Sequence, residues 1–133
     1  MKTTVSKESL AGVLRKVLNA VSAKTTIPVL NNVLLEADER GLTLSATDLE
    51  VYIRSFAEGA TESPGRTTLP ARKFAQIVSA LPEGDVQLST DDNEQTAISC
   101  EKAYFKILGL EASEFPAEEE VEENWQFSLP AIE

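Results

Sequence analysis

The sequence predicts an α+β fold in which two β-α-β-β-β repeats form one domain, with two helices on one side and eight strands. Two observations lead to this prediction. Two amphipathic helical patterns occur in the chain, and each follows one short strand-like run and precedes three more. The openings of the two repeats are also alike, since residues 3–10 read TTVSKESL and residues 67–74 read TTLPARKF.

The first repeat begins with a short strand, MKTTV, and continues into a helix. Ser6 is a suitable N-cap, because its hydroxyl can accept a hydrogen bond from the free amides of the first helical turn. Apolar residues then recur at three- and four-residue steps: Leu10, Val13, Leu14, Val17, Leu18 and Val21. Pro28 ends this helical pattern. Three strand-like runs follow, at residues 29–37, 41–47 and 50–59. A loop is expected next, at residues 61–65 (TESPG).

The second repeat has the same order of patterns. A short strand at residues 66–70 leads into a helix that Pro70 opens, a position where proline is common. The apolar face of this helix consists of Phe74, Ile77, Val78 and Leu81. Three further strand-like runs occupy residues 86–90, 96–100 and 103–110. Residues 91–94 (DDNE) lie between two of these runs and lack the pattern of a calcium loop, so we predict a solvated hairpin turn.

A third repeat opening occurs at residues 127–133, which read FSLPAIE. The preceding segment, residues 111–124, contains seven glutamates and few apolar residues, as an extended linker would. We therefore expect one domain in residues 1–120. Residues 121–133 are expected to be a linker and the first strand of a second domain that the sequence truncates.

The residues needed for most enzyme chemistry are missing. The chain has no histidine, one cysteine (Cys100), and no P-loop or GxGxxG motif. We therefore expect no catalytic residue, no metal site and no cofactor. Asp48 and Glu50 lie two apart in a strand-like run and point to the same side, but a structural pair near a turn is favoured over a catalytic one. Cys100, in an alternating run, is predicted to be a small buried hydrophobe.

The sequence has no feature typical of a membrane or secreted protein. No run of 18 apolar residues occurs, and the first ten residues contain no apolar signal core. We therefore expect no membrane contact and a cytoplasmic location, which a single cysteine fits.

Positive charge is concentrated on the helices, although the chain carries a net charge of −10. Six of its twelve basic residues lie in or just after the two helices: Lys7, Arg15, Lys16, Lys24, Arg72 and Lys73. At 100° per residue, Arg15, Lys16 and Arg72 fall opposite the apolar faces, and Lys73 falls on a flank. This segregation predicts either a positive surface that attracts the phosphates of nucleic acid without reading its sequence, or an ordinary solvated helix face. The alternative is an acidic protein-interaction module without DNA contact, whose binding segment includes residues 118–123 (EEEVEE).

Several stretches of the sequence, in order, resemble a known family: MKTTVSKESL, TTIPVLNNVLLEA, LTLSATDLEVYI, TTLPARKF, LPEG, EFP and FSLP. They are similar to the N-terminal domain of the bacterial DNA polymerase III beta subunit, the sliding clamp family, over essentially the whole chain. The resemblance implies the DNA-clamp fold and a head-to-tail homodimeric ring of six similar domains. Such a ring encircles duplex DNA, tethers the replicative DNA polymerase and performs no chemistry. The family's pocket for polymerase and clamp-loader peptides lies between the second and third domains, which this chain lacks.

The resemblance also implies roles for particular residues. The DNA-facing basic positions of the family fall on Lys24, Arg15, Lys16 and Arg72. The positions of its intersubunit contact, in the second helix and the last strand, fall on Lys73, Lys102, Phe105 and Ile107. Tyr104 stands where the family often has a basic residue.

Overall fold

The computed structural model describes residues 1–21 and 26–118, which fold as two consecutive β-α-β-β-β repeats. The first repeat consists of β1 (Lys2–Ser6), α1 (Lys7–Val17), β2 (Asn32–Asp38), β3 (Gly41–Thr47) and β4 (Tyr52–Ser63). The second consists of β5 (Gly65–Pro70), α2 (Ala71–Ala80), β6 (Asp85–Thr90), β7 (Gln95–Cys100) and β8 (Ala103–Leu108). Short 3₁₀ helices cover Leu18–Ala20, Pro28–Asn31 and Ala112–Glu114. The predicted α+β fold with eight strands and two α-helices is confirmed.

Helix α1 begins as the sequence predicts. Ser6 is its N-cap, and the Ser6 hydroxyl accepts a hydrogen bond from the Ser9 amide at 3.2 Å. The α-helix ends at Val17 and a 3₁₀ turn follows, so the α-helix is shorter than the apolar pattern through Val21 indicated. Leu18 and Val21 still pack against the core as partly buried side chains. The apolar pattern therefore predicted burial correctly but placed the end of the helix too late.

We expect Ser6→Ala to destabilise the domain by about 1 kcal/mol, because it removes the acceptor that satisfies the Ser9 amide in the first turn. Urea unfolding followed by circular dichroism measures this difference. Ser9→Ala is the matched control, since Ser9 is exposed and contributes its backbone amide to the cap. Equal stabilities of the two variants would show that the cap does not stabilise the domain.

Two stretches of the first repeat differ from their predicted structure. Residues 28–31 form a 3₁₀ helix rather than the start of a strand, because Pro28 fixes φ at the first position and Val29 and Leu30 pack into a small apolar cluster. Residues 61–65, predicted as a loop, belong mostly to strands, since β4 continues to Ser63 and β5 begins at Gly65. The second half of β4 is held extended by pairing with β1, a partner distant in sequence.

The eight strands form one antiparallel sheet in the order β5-β2-β3-β4-β1-β6-β7-β8. β4 joins the two halves of the sheet, because its first half pairs with β3 and its second half pairs with β1. The two ends of the sheet meet at an isolated bridge between Thr68 in β5 and Leu110 after β8. There Asn32 donates to the Thr68 hydroxyl at 2.9 Å, and that hydroxyl donates to the Leu110 carbonyl at 2.9 Å. Gly109 permits this closure, since a Cβ at this position would overlap the Thr68 carbonyl oxygen.

The main core lies between the sheet and the two α-helices, which contact each other and pack on the same face of the sheet. Phe74 and Val78 of α2 are fully buried in this core, as are strand residues Leu35, Leu42, Leu44, Leu69, Leu88 and Ile98. The opposite face of the sheet, here called the outer face, is partly covered by a second apolar cluster of Val29, Leu30, Leu34 and Phe115. Both helices therefore lie on one side, as predicted. No helix in the described part of the chain is long and apolar enough to cross a bilayer.

Candidate nucleic-acid interface

The exposed sides of α1 and α2 form one continuous surface, because the two helices contact each other. Arg15, Lys16 and Arg72, predicted to point away from the core, are exposed. Together with the other exposed polar residues beside them they are called the helix surface: Arg15, Lys16, Asn19, Arg72, Lys73, Gln76 and Ser79. A cleft of about 170 Å³ separates the helices and is lined by Ala11, Leu14, Arg15, Leu18, Ala75, Val78 and Ser79. The fold thus brings basic residues from equivalent positions of the two repeats onto one surface.

The arginines and lysines of the helix surface have no carboxylate partner within residues 1–21 and 26–118. The ion pairs of this part of the chain involve strands, turns and residue 118 instead: Lys2–Glu62, Arg40–Asp38, Arg54–Glu118 and Arg66–Glu36. Glu8, in the first turn of α1, is the acidic residue of that helix. Exposed cations without a carboxylate partner attract phosphate, and this attraction is screened by salt.

Lys7 and Lys24, the other two basic residues in or just after the helices, do not belong to the helix surface. Lys7 is tied to the end of α2, because its ammonium group donates a hydrogen bond to the Leu81 carbonyl at 2.5 Å. A cation at this position satisfies a free carbonyl and opposes the negative end of the helix dipole. Lys7 therefore has a structural role that the sequence pattern did not indicate. Lys24 lies outside the described residues, and its contact with DNA stays a prediction.

The side chains of the helix surface are charged, amide or hydroxyl groups. No aromatic side chain belongs to it, and its amide side chains, Asn19 and Gln76, come from different helices. The large exposed aromatic residues of the described chain, Phe56 and Tyr104, lie on strands instead. Phosphate contacts position DNA without specifying its sequence. The arrangement is therefore suited to holding a phosphate backbone.

The second predicted site is the edge strand β8, whose outer edge pairs with no other strand of the described chain over Ala103–Leu108. Its side chains alternate in direction. Phe105 and Ile107 face the core, and Ile107 is only 7% exposed, whereas Tyr104 and Leu108 are 63% and 61% exposed. An apolar edge of this kind is a ready site for another strand.

The predicted intersubunit residues differ in their burial. Lys73 and Lys102 are exposed, Phe105 is partly buried, and Ile107 belongs to the core. A direct contact of Ile107 with a partner subunit is untested and stays a prediction. Leu108 is an exposed apolar residue that the sequence reasoning missed. Leu108 is four residues after Tyr104, and side chains an even number of positions apart lie on the same face of a strand. This spacing was the signal that could have indicated the exposure of Leu108.

The acidic residues considered for chemistry or metal binding lie in turns. Asp48 lies between β3 and β4, and its carboxylate accepts hydrogen bonds from the Glu50 and Val51 amides at 2.9 and 2.8 Å. The interpretation of Asp48 and Glu50 as neighbours within a strand is therefore wrong. Asp91 caps the turn between β6 and β7 in a similar way, accepting from the Asn93 amide at 2.8 Å, as the hairpin prediction required. Residues 1–21 and 26–118 contain no group of three or more potential metal ligands.

Cys100 is buried, as the alternating pattern predicted. Its thiol donates a hydrogen bond to the Pro82 carbonyl at 3.3 Å. Burial raises the pKa of the thiol, which disfavours the reactive thiolate. Cys100 is thus a structural residue that connects β7 to the segment after α2.

The fold and the helix surface together define a class of protein, the DNA-clamp domains, and comparisons with known proteins agree. Residues 1–119 match the family model for the DNA polymerase III beta subunit, N-terminal domain. The chain therefore belongs to the DNA polymerase III beta subunit family.

Relatives from several bacteria give the extent of the similarity. The beta sliding clamps of Bacillus subtilis (strain 168) and Escherichia coli (strain K12) are 35% and 34% identical to this chain over 138 and 131 residues. The crystal structure of the DNA polymerase sliding clamp from Bacillus subtilis matches with a TM-score of 0.85 at 34% identity, over 88% of this chain and 33% of that one. A putative DNA polymerase III beta subunit from Eubacterium rectale matches with a TM-score of 0.85 at 37% identity, over 88% and 32%.

The chain is much shorter than these relatives. The two matches cover 98% of this chain but only 36% of each of the two sliding clamps. The division into a domain at residues 1–120 and a linker with a first strand at 121–133 stays a prediction, because residues 119–133 lie outside the described part. The family assignment favours a clamp domain over the alternative of an acidic module without DNA contact.

Proposed function

We propose that this chain is the first domain of a ring-shaped clamp that encircles duplex DNA and slides along it as a processivity factor. The observation that supports this most strongly is the helix surface. Arg15, Lys16 and Arg72 have no carboxylate partner within residues 1–21 and 26–118, in a chain of net charge −10. Charge segregated in this way attracts the phosphate backbone to one face and repels it from the others.

The contact with DNA is proposed to be loose and independent of sequence. Each basic residue that neutralises a phosphate releases counterions, so affinity falls steeply as salt is added. Contacts of this kind carry no base information, which allows a clamp to move along any sequence. Lys24 is proposed to add to this surface from the segment after α1.

Ring assembly requires strand edges on which neighbouring domains can pair, and two such edges support the proposal. β8 presents one edge, and the first half of β4 presents its counterpart in the other repeat, because Tyr52–Glu58 pairs with β3 on one side only within the described chain. Pairing of exposed edges is a common mode of association between β-proteins. We place the contact with a second copy of the full-length protein at β8, Lys73 and Lys102, with Phe105 and Ile107 supporting the strand.

The proposed clamp performs no chemistry and needs no cofactor. Its role is to hold the replicative DNA polymerase at the primer end, where tethering raises the effective concentration of the enzyme without tight DNA binding. Polymerase and clamp loader are proposed to bind the full-length protein through domains beyond this chain.

Retention on circular DNA tests the proposal. The full-length protein that contains this chain is loaded on nicked circular duplex by its clamp loader, and the DNA is then linearised by a restriction enzyme. A sliding clamp stays on the circle and is lost from the linear form, because topological linkage and not affinity retains it. Equal retention on both forms, or no retention on circles, would contradict the proposed function.

The exposed apolar residues of β8 give a further prediction. We expect Leu108→Asp to weaken dimerisation of the full-length protein by at least about tenfold while leaving the fold intact, because a charge on the apolar edge opposes its burial in an interface. Sedimentation velocity over a dilution series measures the dimer dissociation constant. Leu110→Asp is not a suitable control, since Leu110 closes the sheet. The control is Glu83→Gln, an exposed position after α2. An unchanged dissociation constant in Leu108→Asp would remove β8 from the interface.

A further inference from the structure

The sheet is closed at two seams that occupy equivalent places in the two repeats. Each seam contains the Thr-Thr pair of a repeat opening, at residues 3–4 and 67–68. At the first seam, β1 pairs with the second half of β4 over four residue pairs. At the second seam, β5 meets the end of β8 at one residue pair, Thr68 with Leu110. Within the described chain, the β5–β8 seam therefore has less backbone pairing than its counterpart.

Glu94 adds further bonds to the β5–β8 seam. This residue lies between β6 and β7, and its carboxylate accepts a hydrogen bond from the Thr67 hydroxyl of β5 at 2.7 Å. Its backbone carbonyl accepts a hydrogen bond from the Gly109 amide at 2.8 Å. Thr67 is fully buried, and a hydrogen bond to a carboxylate is stronger than one between neutral groups. Glu94 thus connects β5 to the end of β8.

The conformation of the β6–β7 loop does not explain why a glutamate occupies position 94. The Asp91 amide donates to the Gln95 carbonyl at 3.0 Å, so the loop consists of three residues, 92–94. Glu94 has a φ of 63°, in the left-handed region. Glycine is the usual residue at this position of a three-residue hairpin loop, because it has no Cβ to oppose a positive φ. Glycine has no side chain that reaches Thr67, so the contact with β5 accounts for the glutamate.

The bonds of Glu94 lie next to the edge proposed to contact a second subunit. Gly109 directly follows Leu108, which is 61% exposed at the end of β8. Within the described chain β8 pairs with β7 alone, and the chain is next held where Leu110 meets β5. An edge strand that is already ordered loses less conformational freedom when a partner strand pairs with it. The order of β8 therefore bears on the free energy of dimerisation.

We propose that Glu94 is a positioning residue for the contact between subunits. By joining Thr67 to Gly109, it holds the end of β8 in the geometry on which a second copy of the full-length protein pairs. The inference rests on the proposed placement of the intersubunit contact at β8. Glu94 acts through the strand and does not touch the partner subunit.

Glu94→Gly in the full-length protein tests this inference, because glycine suits the loop but removes the carboxylate that binds Thr67. We expect the dimer dissociation constant, measured by sedimentation velocity, to rise about fivefold, which is at the lower end of typical coupling between two sites. Thr67→Val removes the donor of the same bond and is expected to give the same increase. Glu94→Gln keeps an acceptor oxygen for the Thr67 hydroxyl and is expected to dimerise like the wild type.

The order of β8 is measured separately, as hydrogen exchange of the Gly109 amide followed by NMR in the 133-residue chain. We expect faster exchange in Glu94→Gly and Thr67→Val and unchanged exchange in Glu94→Gln, because local opening of the strand exposes this amide. Thr61→Val is the matched control for both measurements. It removes the 2.9 Å hydrogen bond between the Thr3 and Thr61 hydroxyls at the other seam and leaves the bonds of Glu94 intact.

An unchanged dissociation constant in Glu94→Gly overturns the inference, even where the Gly109 amide exchanges faster, because the edge is then loosened without effect on the partner. An equal rise of the dissociation constant in Thr61→Val also overturns it, since a general loss of stability then accounts for the effect. The Leu108→Asp variant separates this failure from failure of the proposed interface. Weaker dimers in Leu108→Asp with unchanged dimers in Glu94→Gly leave β8 in the interface and remove the positioning role of Glu94.

Discussion

Reversing three charges of the helix surface in the full-length protein, as Arg15→Glu, Lys16→Glu and Arg72→Glu, is expected to weaken binding to short duplex DNA at low salt by on the order of 100-fold. These side chains are exposed and have no carboxylate partner in the described chain, so their charge acts on an external anion. The slope of log affinity against log salt concentration is expected to become shallower by about 2.7, since each lost phosphate contact removes about 0.9. Fluorescence anisotropy of a labelled duplex over a salt series measures both quantities.

The outer face provides the matched control for this experiment. Arg40→Glu, Arg54→Glu and Arg66→Glu change the net charge by the same amount, but the three arginines lie on the face opposite the helices. Affinity and salt slope are expected to remain close to those of the wild type. Equal losses in the two triple variants would mean that net charge governs binding and that the helix surface has no special part in it.

Removing the largest buried side chain of α2 is expected to have the largest effect on stability. Phe74 has no exposed surface and packs between the helix and the sheet. Phe74→Ala deletes this ring and leaves a cavity that the surrounding side chains fill only in part, which costs about 3–5 kcal/mol of unfolding free energy. That loss is a large part of the total stability of a typical domain, about 5–15 kcal/mol. Urea unfolding of the 133-residue chain, monitored by far-UV circular dichroism, gives the difference.

Phe56→Ala is the matched control for the core variant. The substitution is the same, but Phe56 is 43% exposed on the outer face. We expect it to cost less than about 1.5 kcal/mol, because less apolar surface is transferred to water and no closed cavity forms. A Phe74→Ala variant that unfolds at the same urea concentration as Phe56→Ala would contradict the assigned core.

The parts of the fold that the sequence predicted are those with strong local signals. Ser6 was predicted as an N-cap because its position before an apolar helical pattern is itself the signal, and its hydrogen bond is present. The strand–helix–three-strand order was predictable in both repeats for the same reason, since each element has its own period. The helix surface followed from helical geometry, which places Arg15 and Lys16 opposite Leu10 and Val17.

The parts that the sequence did not predict depend on partners distant in the chain. The extension of β4 to Ser63 requires β1, which pairs with it, and the closure at Leu110 requires Thr68. Asp48 was predicted to lie in a strand, but it lies in a turn, where its carboxylate accepts hydrogen bonds from two backbone amides. The exposure of Leu108 was missed because the alternation groups it with Tyr104 on one face of β8 but does not show which face the core covers.

The central claim is that the helix surface faces duplex DNA while the outer face points away from it. Photo-cross-linking from single sites in the full-length protein, loaded on circular duplex, tests this most directly. A benzophenone amino acid replaces Gln76 on the helix surface in one variant and Gln87, exposed on the outer face of β6, in another. We expect cross-links to DNA from position 76 and none above background from position 87. Cross-links from position 87, with none from position 76, would contradict the claim.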